Sequence, residues 1–386
     1  MMRNVFILGF VSFLTDISSE MVYPLIPVLL MQLGSGPLLM GAIEGLAQSF
    51  GSLFKFYFGY TSDRFSRRKP FLLFGYGIAA ASKAFLALAT TSVMVFASRF
   101  VDRFGKGVRT APRDALIAES APVEKRGAAF GLHRALDTAG AVVGIGIAYM
   151  ILTSSQGDIR SIFFWALVPG VLSILLLWFF VRDIPKTDST TRKALPPLRW
   201  SMLPKPLRRF MLITVLFALG NSSTLFLLMK SLSIGFPQVA VLLLYLVFNI
   251  FQAMSAYPAA ALSDKIGRRM LLIVGYLLFG LVYFGFAFST SMLVYWALFA
   301  AYGLYMGLTE GIEKAYIVDT ISPELKATAL GIHATLVGIM VLPASLLAGW
   351  AYQFISPSAP FYISSIVAFA AALGLYWVVP RNRVTT

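Results

Sequence analysis

The 386-residue sequence contains no cysteine, so neither a disulfide nor a thiolate metal site can form. Its two histidines, His133 and His333, are too few for a soft-metal centre, and no metal or cofactor is expected. Charged residues make up only 13% of the chain, and no polar stretch is long enough to fold as a soluble domain. That excludes nucleic-acid binding as the reason for the net charge of +15, because it would need a basic face on such a domain. No Gly-x-x-x-x-Gly-Lys-Ser/Thr run is present to cradle a nucleotide's phosphates, so ATP is not the expected energy source. Neither a nucleophile with its base nor a metal cluster is evident at membrane depth, so the chain does not read as an enzyme.

What the chain has is apolar length. Hydrophobic residues are 58% of the total and the mean hydropathy is +0.78, which marks an all-α, polytopic membrane protein. A spanning helix needs about 20 apolar residues. Breaking at glycine, proline and charge clusters gives twelve segments, near 4–33, 37–61, 70–89, 91–118, 125–153, 161–181, 208–234, 237–262, 270–289, 291–319, 326–354 and 358–379. Asp16 and Glu20 interrupt the first run before any small-residue cleavage site, so it is expected to stay as a span rather than leave as a signal peptide. Arg64, Arg67, Arg68, Lys69, Lys125, Arg126, Lys265, Arg268, Arg269 and Lys326 fall in the even connections, whereas Arg160 is the one basic residue on the other side. This asymmetry puts both termini in the cytoplasm of a cell whose inner membrane holds the chain.

The sequence repeats itself. GYTSDRFSRRK, Gly59 to Lys69, returns as AALSDKIGRR, Ala260 to Arg269; RGAAFGLHRAL, Arg126 to Leu136, returns as KATALGIHATL, Lys326 to Leu336. Both returns lie about 200 residues on and in the same order, a parallel duplication of six helices. Between the copies runs a polar, proline-rich stretch. The expected organisation is a six-helix half over 1–181, a cytoplasmic linker over 182–207 and a second half over 208–386.

The charges inside the spans are the candidate functional groups, since an ionised side chain at membrane depth costs about 2.5–3.5 kcal/mol on insertion scales. In the fourth segment Arg99, Asp102, Arg103, Lys106, Arg109, Arg113 and Asp114 fall within roughly 140° of one helix face. Asp16 and Glu20 stack one turn apart on the first segment; either they hold a shared proton, or each pairs with Arg99, Arg103 or Arg109. Glu44, on a face with Gln48 and Lys55, and the pair His133 and Asp137 complete the proton-coupling candidates. Arg99, Asp102, Arg103, Lys106, Gln48, Lys230, Asn249 and Gln252 are the expected cavity residues. Glu310, Glu313 and Lys314 of the tenth segment oppose Arg113 and Asp114 in sign at the repeat offset, which points to a gating network together with Arg109.

Gly59 to Lys69, with Asp63, Arg64, Arg67 and Arg68, resembles the loop signature of the major facilitator superfamily; Asp264, Lys265, Gly267, Arg268 and Arg269 form its second copy. Arg99, Gly105 and Gly107 are similar to a further pattern of that family, with Arg103 where glycine is common. Gly140, Gly144 and Gly146 match half of an exporter motif, with Ile145 where proline is usual, so the resemblance implies no direction of transport. It implies twelve helices in two pseudo-symmetric halves that alternate access to a midplane cavity. The two loop copies are expected to act as latches or gates. The expected work is secondary, proton-coupled transport of a small organic solute by a monomer in the bilayer. The basic surplus favours an anion; the alternatives are efflux of drugs or cations and, behind it, transport of a metal or metal chelate.

Overall fold

The computed structural model describes residues 2–65, 68–122, 125–183, 203–322 and 325–378, and every regular element among them is helical. α1 (Met2–Val22) passes through a 3-10 turn at Tyr23–Leu25 into α2 (Ile26–Gln32), because Pro24 and Pro27 each withhold a backbone N–H from the helical ladder. α3 (Pro37–Phe65), α4 (Lys69–Ala87), α5 (Ser92–Ser120) and α6 (Arg126–Ser154) follow. The next stretch is broken into α7 (Ile159–Trp165) and α8 (Leu167–Phe180), where Pro169 cannot bond the Trp165 carbonyl. α9 (Lys205–Gly220), α10 (Leu225–Ser233), α11 (Gln238–Ile266), α12 (Arg268–Phe288), α13 (Met292–Thr320), α14 (Lys326–Phe354) and α15 (Ala359–Val378) complete the order. Most of the expected linker, 184–202, lies outside the described residues, as do Arg67 and the chain from 379 onward.

Among the described residues ten stretches, from Arg3–Gln32 to Ala359–Trp377, are long and apolar enough to cross a membrane. α3 and α5 have the length, 29 residues each, but not the apolar composition. The duplication is visible in the helices. α3 and α11, α5 and α13, and α6 and α14 are all 29 residues long, and their starts lie 201, 200 and 200 residues apart. The first copy therefore has one more residue between the starts of α3 and α5 than the second has between those of α11 and α13.

The described residues divide into two compact units. The first comprises Met1–Gly36, Leu46–Thr190 and Pro237–Leu246. Within it α1 lies along α6 and α4 along α5. Glycine makes these approaches possible: a Cβ on Gly75 would stand 2.7 Å from the Gly105 carbonyl oxygen, and one on Gly105 2.6 Å from that of Gly75. Membrane helices gain no hydrophobic drive from one another, so backbone contact through small residues holds the pair. Gly144 meets the Ile17 carbonyl in the same way, whereas Gly146 of the expected motif faces open space. At the α7–α8 break the Ser18 hydroxyl donates to the Ala166 carbonyl at 2.6 Å.

The second unit comprises Pro37–Gly45, Thr191–Phe236 and Val247–Thr386. α12 packs on α13 and α15, and α9 on α14 and α15. Its interior is aromatic: Phe217 stacks on Tyr276 with centroids 3.8 Å apart, and Phe279 on Tyr283 at 3.9 Å. Asn221, at the break between α9 and α10, donates its side-chain amide to the Tyr305 hydroxyl at 3.2 Å.

Candidate functional site

In the first unit, α1 presents Asp16 and Glu20 one turn apart, both half-buried. Lys106 of α5 neighbours both acids, Arg109 and Asp137 neighbour Asp16, and Arg99 and Arg103 neighbour Glu20. The Glu20 carboxylate accepts the Tyr245 hydroxyl at 2.9 Å, and the Tyr245 ring lies 5.7 Å from that of Tyr23. The guanidinium carbons of Arg99 and Arg103 stand 5.4 and 5.9 Å from the Tyr23 ring centre, a cation–π arrangement that gains strength as water is excluded. Lys106 is exposed and Arg103 half-buried, so this cluster sets two carboxylates beside two cations, one of which reaches open space.

Arg99 and Asp102 are placed differently from the expected cavity lining. They are only 5% and 8% exposed. Asp102 takes the Lys83 ammonium on one carboxylate oxygen and Arg99 at 3.5 Å on the other, inside the α4–α5 seam. The sequence reading missed Lys83, although a lone lysine in an otherwise apolar span signals a hidden counter-ion.

His133 sits deeper in the same unit. Its Nε2 meets the Ser12 hydroxyl at 2.8 Å, and its Nδ1 stands 3.8 Å from Asp137 Oδ2. Arg113 donates to Ser12 at 3.3 Å and pairs with its neighbour Asp114 at 2.9 Å. Arg109 lies over the Tyr76 ring at 4.4 Å.

The second unit gathers the expected gate residues of α13 among themselves and their own neighbours. Glu310 pairs with Lys314 at 3.7 Å and accepts Gln252 at 3.3 Å. Glu313 accepts the Tyr276 hydroxyl at 2.8 Å and stands 3.9 Å from His333 Nε2. Lys230, expected to face a cavity, is buried and donates to Ser358 at 3.1 Å at the start of α15. Glu44, 1% exposed, lies among Met40, Ser223, Phe226 and Met229. Asn249 is half-buried on α11, and Gln48 half-buried on the first-unit part of α3.

The signature turns are built on residues that sequence reasoning passed over. Arg68 donates to Ser62 at 2.8 Å and pairs with Glu119 at 3.1 Å, while the backbone N–H groups of Arg68 and Lys69 both donate to Asp183, at 2.9 and 2.8 Å. In the second unit Arg268 donates to Ser263 at 2.6 Å and pairs with Asp264 at 2.8 Å and Asp319 at 2.9 Å. Lys69 caps the Trp178 carbonyl at 2.7 Å, as Arg269 caps those of Leu375 and Tyr376. The acids shared by both copies are thus Glu119 and Asp319, at the ends of α5 and α13. These matching contacts make Arg68, not Arg67, the counterpart of Arg268. Asp63 and Arg64 belong to the last turn of α3, and their side chains lie outside the description; Lys265 is exposed.

The duplicated helices, the duplicated turns and the charged interior can be set against known proteins. The family model described as Major Facilitator Superfamily matches residues 8–340 and 210–386. An uncharacterized MFS-type transporter of Methanocaldococcus jannaschii is 38% identical over 97% of this chain and 95% of its own length. The chain belongs to the major facilitator superfamily. Among more distant superfamily relatives, the multidrug resistance protein MdtH of Edwardsiella ictaluri is 25% identical over 92% of this chain and 89% of its own. Solved structures share the fold: the nucleoside transporter NupG with a TM-score of 0.80 at 13% identity, covering 98% of this chain and 100% of that one, and a D-xylose–proton symporter with 0.78 at 18%, covering 100% and 99%. This superfamily member is accordingly a multi-pass membrane protein of a transporter family.

Proposed function

We propose that this superfamily member is a proton-coupled secondary transporter of a small organic solute bearing an anionic group. Its twelve spans are arranged as two six-helix halves, 1–181 and 208–386, joined through 182–207, with both termini in the cytoplasm and the monomer as the working form. α3 and α5 then serve as spans whose charges are sheltered by protein. The two halves alternate access to a cavity near the midplane.

The observation that carries this reading is the cluster of Asp16, Glu20, Arg103 and Lys106. A carboxylate pair one turn apart can take up a proton where it cannot hold two charges cheaply, and Arg103 and Lys106 beside it offer cations, the second of which reaches open space. Protonating the acids frees those cations for a solute anion, so proton and solute binding reinforce each other. Gln48, Asn249 and Gln252 supply neutral polar contacts, and Arg68 with Glu119 and Arg268 with Asp319 act as latches that each turn makes within its own unit.

A second reading has its own support in the multidrug resistance relatives. If the acids of α1 receive the solute instead, the cargo is a lipophilic cation and the direction is export.

A thermal-shift screen of purified protein against organic anions and cations separates the two. Anion-selective stabilisation that is lost in Arg103→Ala supports the first reading, and cation-selective stabilisation lost in Asp16→Asn supports the second. Counterflow in proteoliposomes, with and without an imposed pH gradient, then tests carrier behaviour and proton drive.

A further inference from the structure

The two histidines lie exactly one repeat apart, His133 on α6 and His333 on α14. Each has a carboxylate at nearly the same distance, 3.8 Å for Asp137 and 3.9 Å for Glu313. The two acids come from different places. Asp137 is four residues along the histidine's own helix; the matching position in the second copy is Val337. Glu313 belongs to α13, at the position where the first copy has Arg113. The acid has been lost at one position and gained at another, yet each imidazole still has one beside it.

His333 is 7% exposed, and its Nε2, the atom facing Glu313, makes no hydrogen bond among the described residues. The groups around the pair are few. Tyr276 of α12 donates to the other Glu313 oxygen at 2.8 Å, Phe210 of α9 stacks on the imidazole at 6.2 Å, Tyr305 of α13 also neighbours Glu313, and Glu310 and Lys314 of α13 are the remaining charged neighbours. Around His133 the neighbours are Ser12 of α1, Arg113 and Asp114 of α5, and Asp137 and Arg134 of α6, and Asp16 of α1 faces Asp137. A carboxylate and an imidazole in one apolar pocket carry one negative charge between them when no proton is bound and none when one is. Such a pocket favours the protonated pair over a bare carboxylate.

We infer that His333 and Glu313 form a proton-binding pair in the second unit, the counterpart of His133 and Asp137 in the first, so that each repeat holds one proton of its own. For its purpose this rests on the proton-coupled reading above; its binding of a proton does not. The consequence for transport is one further protonation site in each half, beside the acids of α1.

The presence of only two histidines makes the test direct. The full chain, labelled at histidine and held in lipid nanodiscs, gives two imidazole signals, assigned by the loss of one in His133→Asn, and both are followed from pH 4 to 9. In Glu313→Gln the His333 signal is expected to lose its proton at a pH about one unit or more below that of the parent, with the His133 signal unmoved as the control for folding. Asp137→Asn is expected to do the reverse. Glu313→Asp keeps the charge and withdraws it, and its His333 signal should fall between parent and Gln variant; it decides the matter where the Gln variant does not fold. A His333 signal that ignores both Glu313 substitutions, or that does not change over this range, overturns the pair. Coupled titration without proton-driven transport in vesicles would instead overturn the proposed function and leave the pair standing.

Discussion

The Tyr245 hydroxyl donates to the Glu20 carboxylate at 2.9 Å, which fastens the first turns of α11 to the acidic face of α1. Hydrogen bonds to a charged group contribute about 1.5–3 kcal/mol. Tyr245→Phe and Glu20→Gln should therefore be non-additive: in a double-mutant cycle of thermal unfolding, the double variant should lose less stability than the two single losses together, by about that amount. Simple additivity would show the contact to be idle.

Lys83 and Asp102 should be worth more as a pair than either alone. Removing one partner of a buried ion pair leaves an uncompensated charge, at a cost of about 3–5 kcal/mol. Lys83→Met and Asp102→Leu should each depress the folded yield in detergent sharply. The double substitution should recover much of the loss, although Arg99 then gives up Asp102 while it keeps its contact with Tyr23.

Gly75 and Gly105 face each other's carbonyl oxygens. Leucine at either position forces α4 and α5 apart, and overpacking of this kind costs about 1–3 kcal/mol or more. Gly146→Ala, which meets open space, is the matched control and should leave the melting temperature within about 1 °C of the parent. Equal tolerance at the three sites would argue against the glycine seam.

Glu119 is partly exposed where it meets Arg68, so its loss should be mild, about 0.5–1 kcal/mol. Glu119→Gln should nonetheless loosen the α3–α4 turn more than Asp63→Asn does, because Arg68 is joined to α5 through Glu119. Proteolytic nicking near residue 67 measures this; a faster cut in Asp63→Asn than in Glu119→Gln would restore the acid of the signature to the leading role.

Much of the helix pattern could be read directly. The expected segments 125–153 and 326–354 differ from α6 and α14 by a residue at most. Local chemistry explains that success, since hydropathy and proline act along the chain. α3 and α11 run past their expected ends to Phe65 and Ile266, because a polar turn can continue a helix once it leaves the apolar layer. The break at Asn221 had no proline to announce it. The site was legible in its residue types and not in its partners. Asp102 looked like a cavity group because its counter-ion, Lys83, lies on another helix. Tyr245 looked like one aromatic among many, because its acid is 225 positions away.

The hidden pair of Lys83 and Asp102 also bears on how the chain enters the membrane. α5 lacks the apolar composition to partition by itself, and only a short connection separates its first residue, Ser92, from the last of α4, Ala87. Lys83, near the end of one arm, and Asp102, on the other, can neutralise each other while the two helices are still a hairpin. The translocation machinery would then release α4 and α5 together, already joined by the ion pair and by the glycine contact between them.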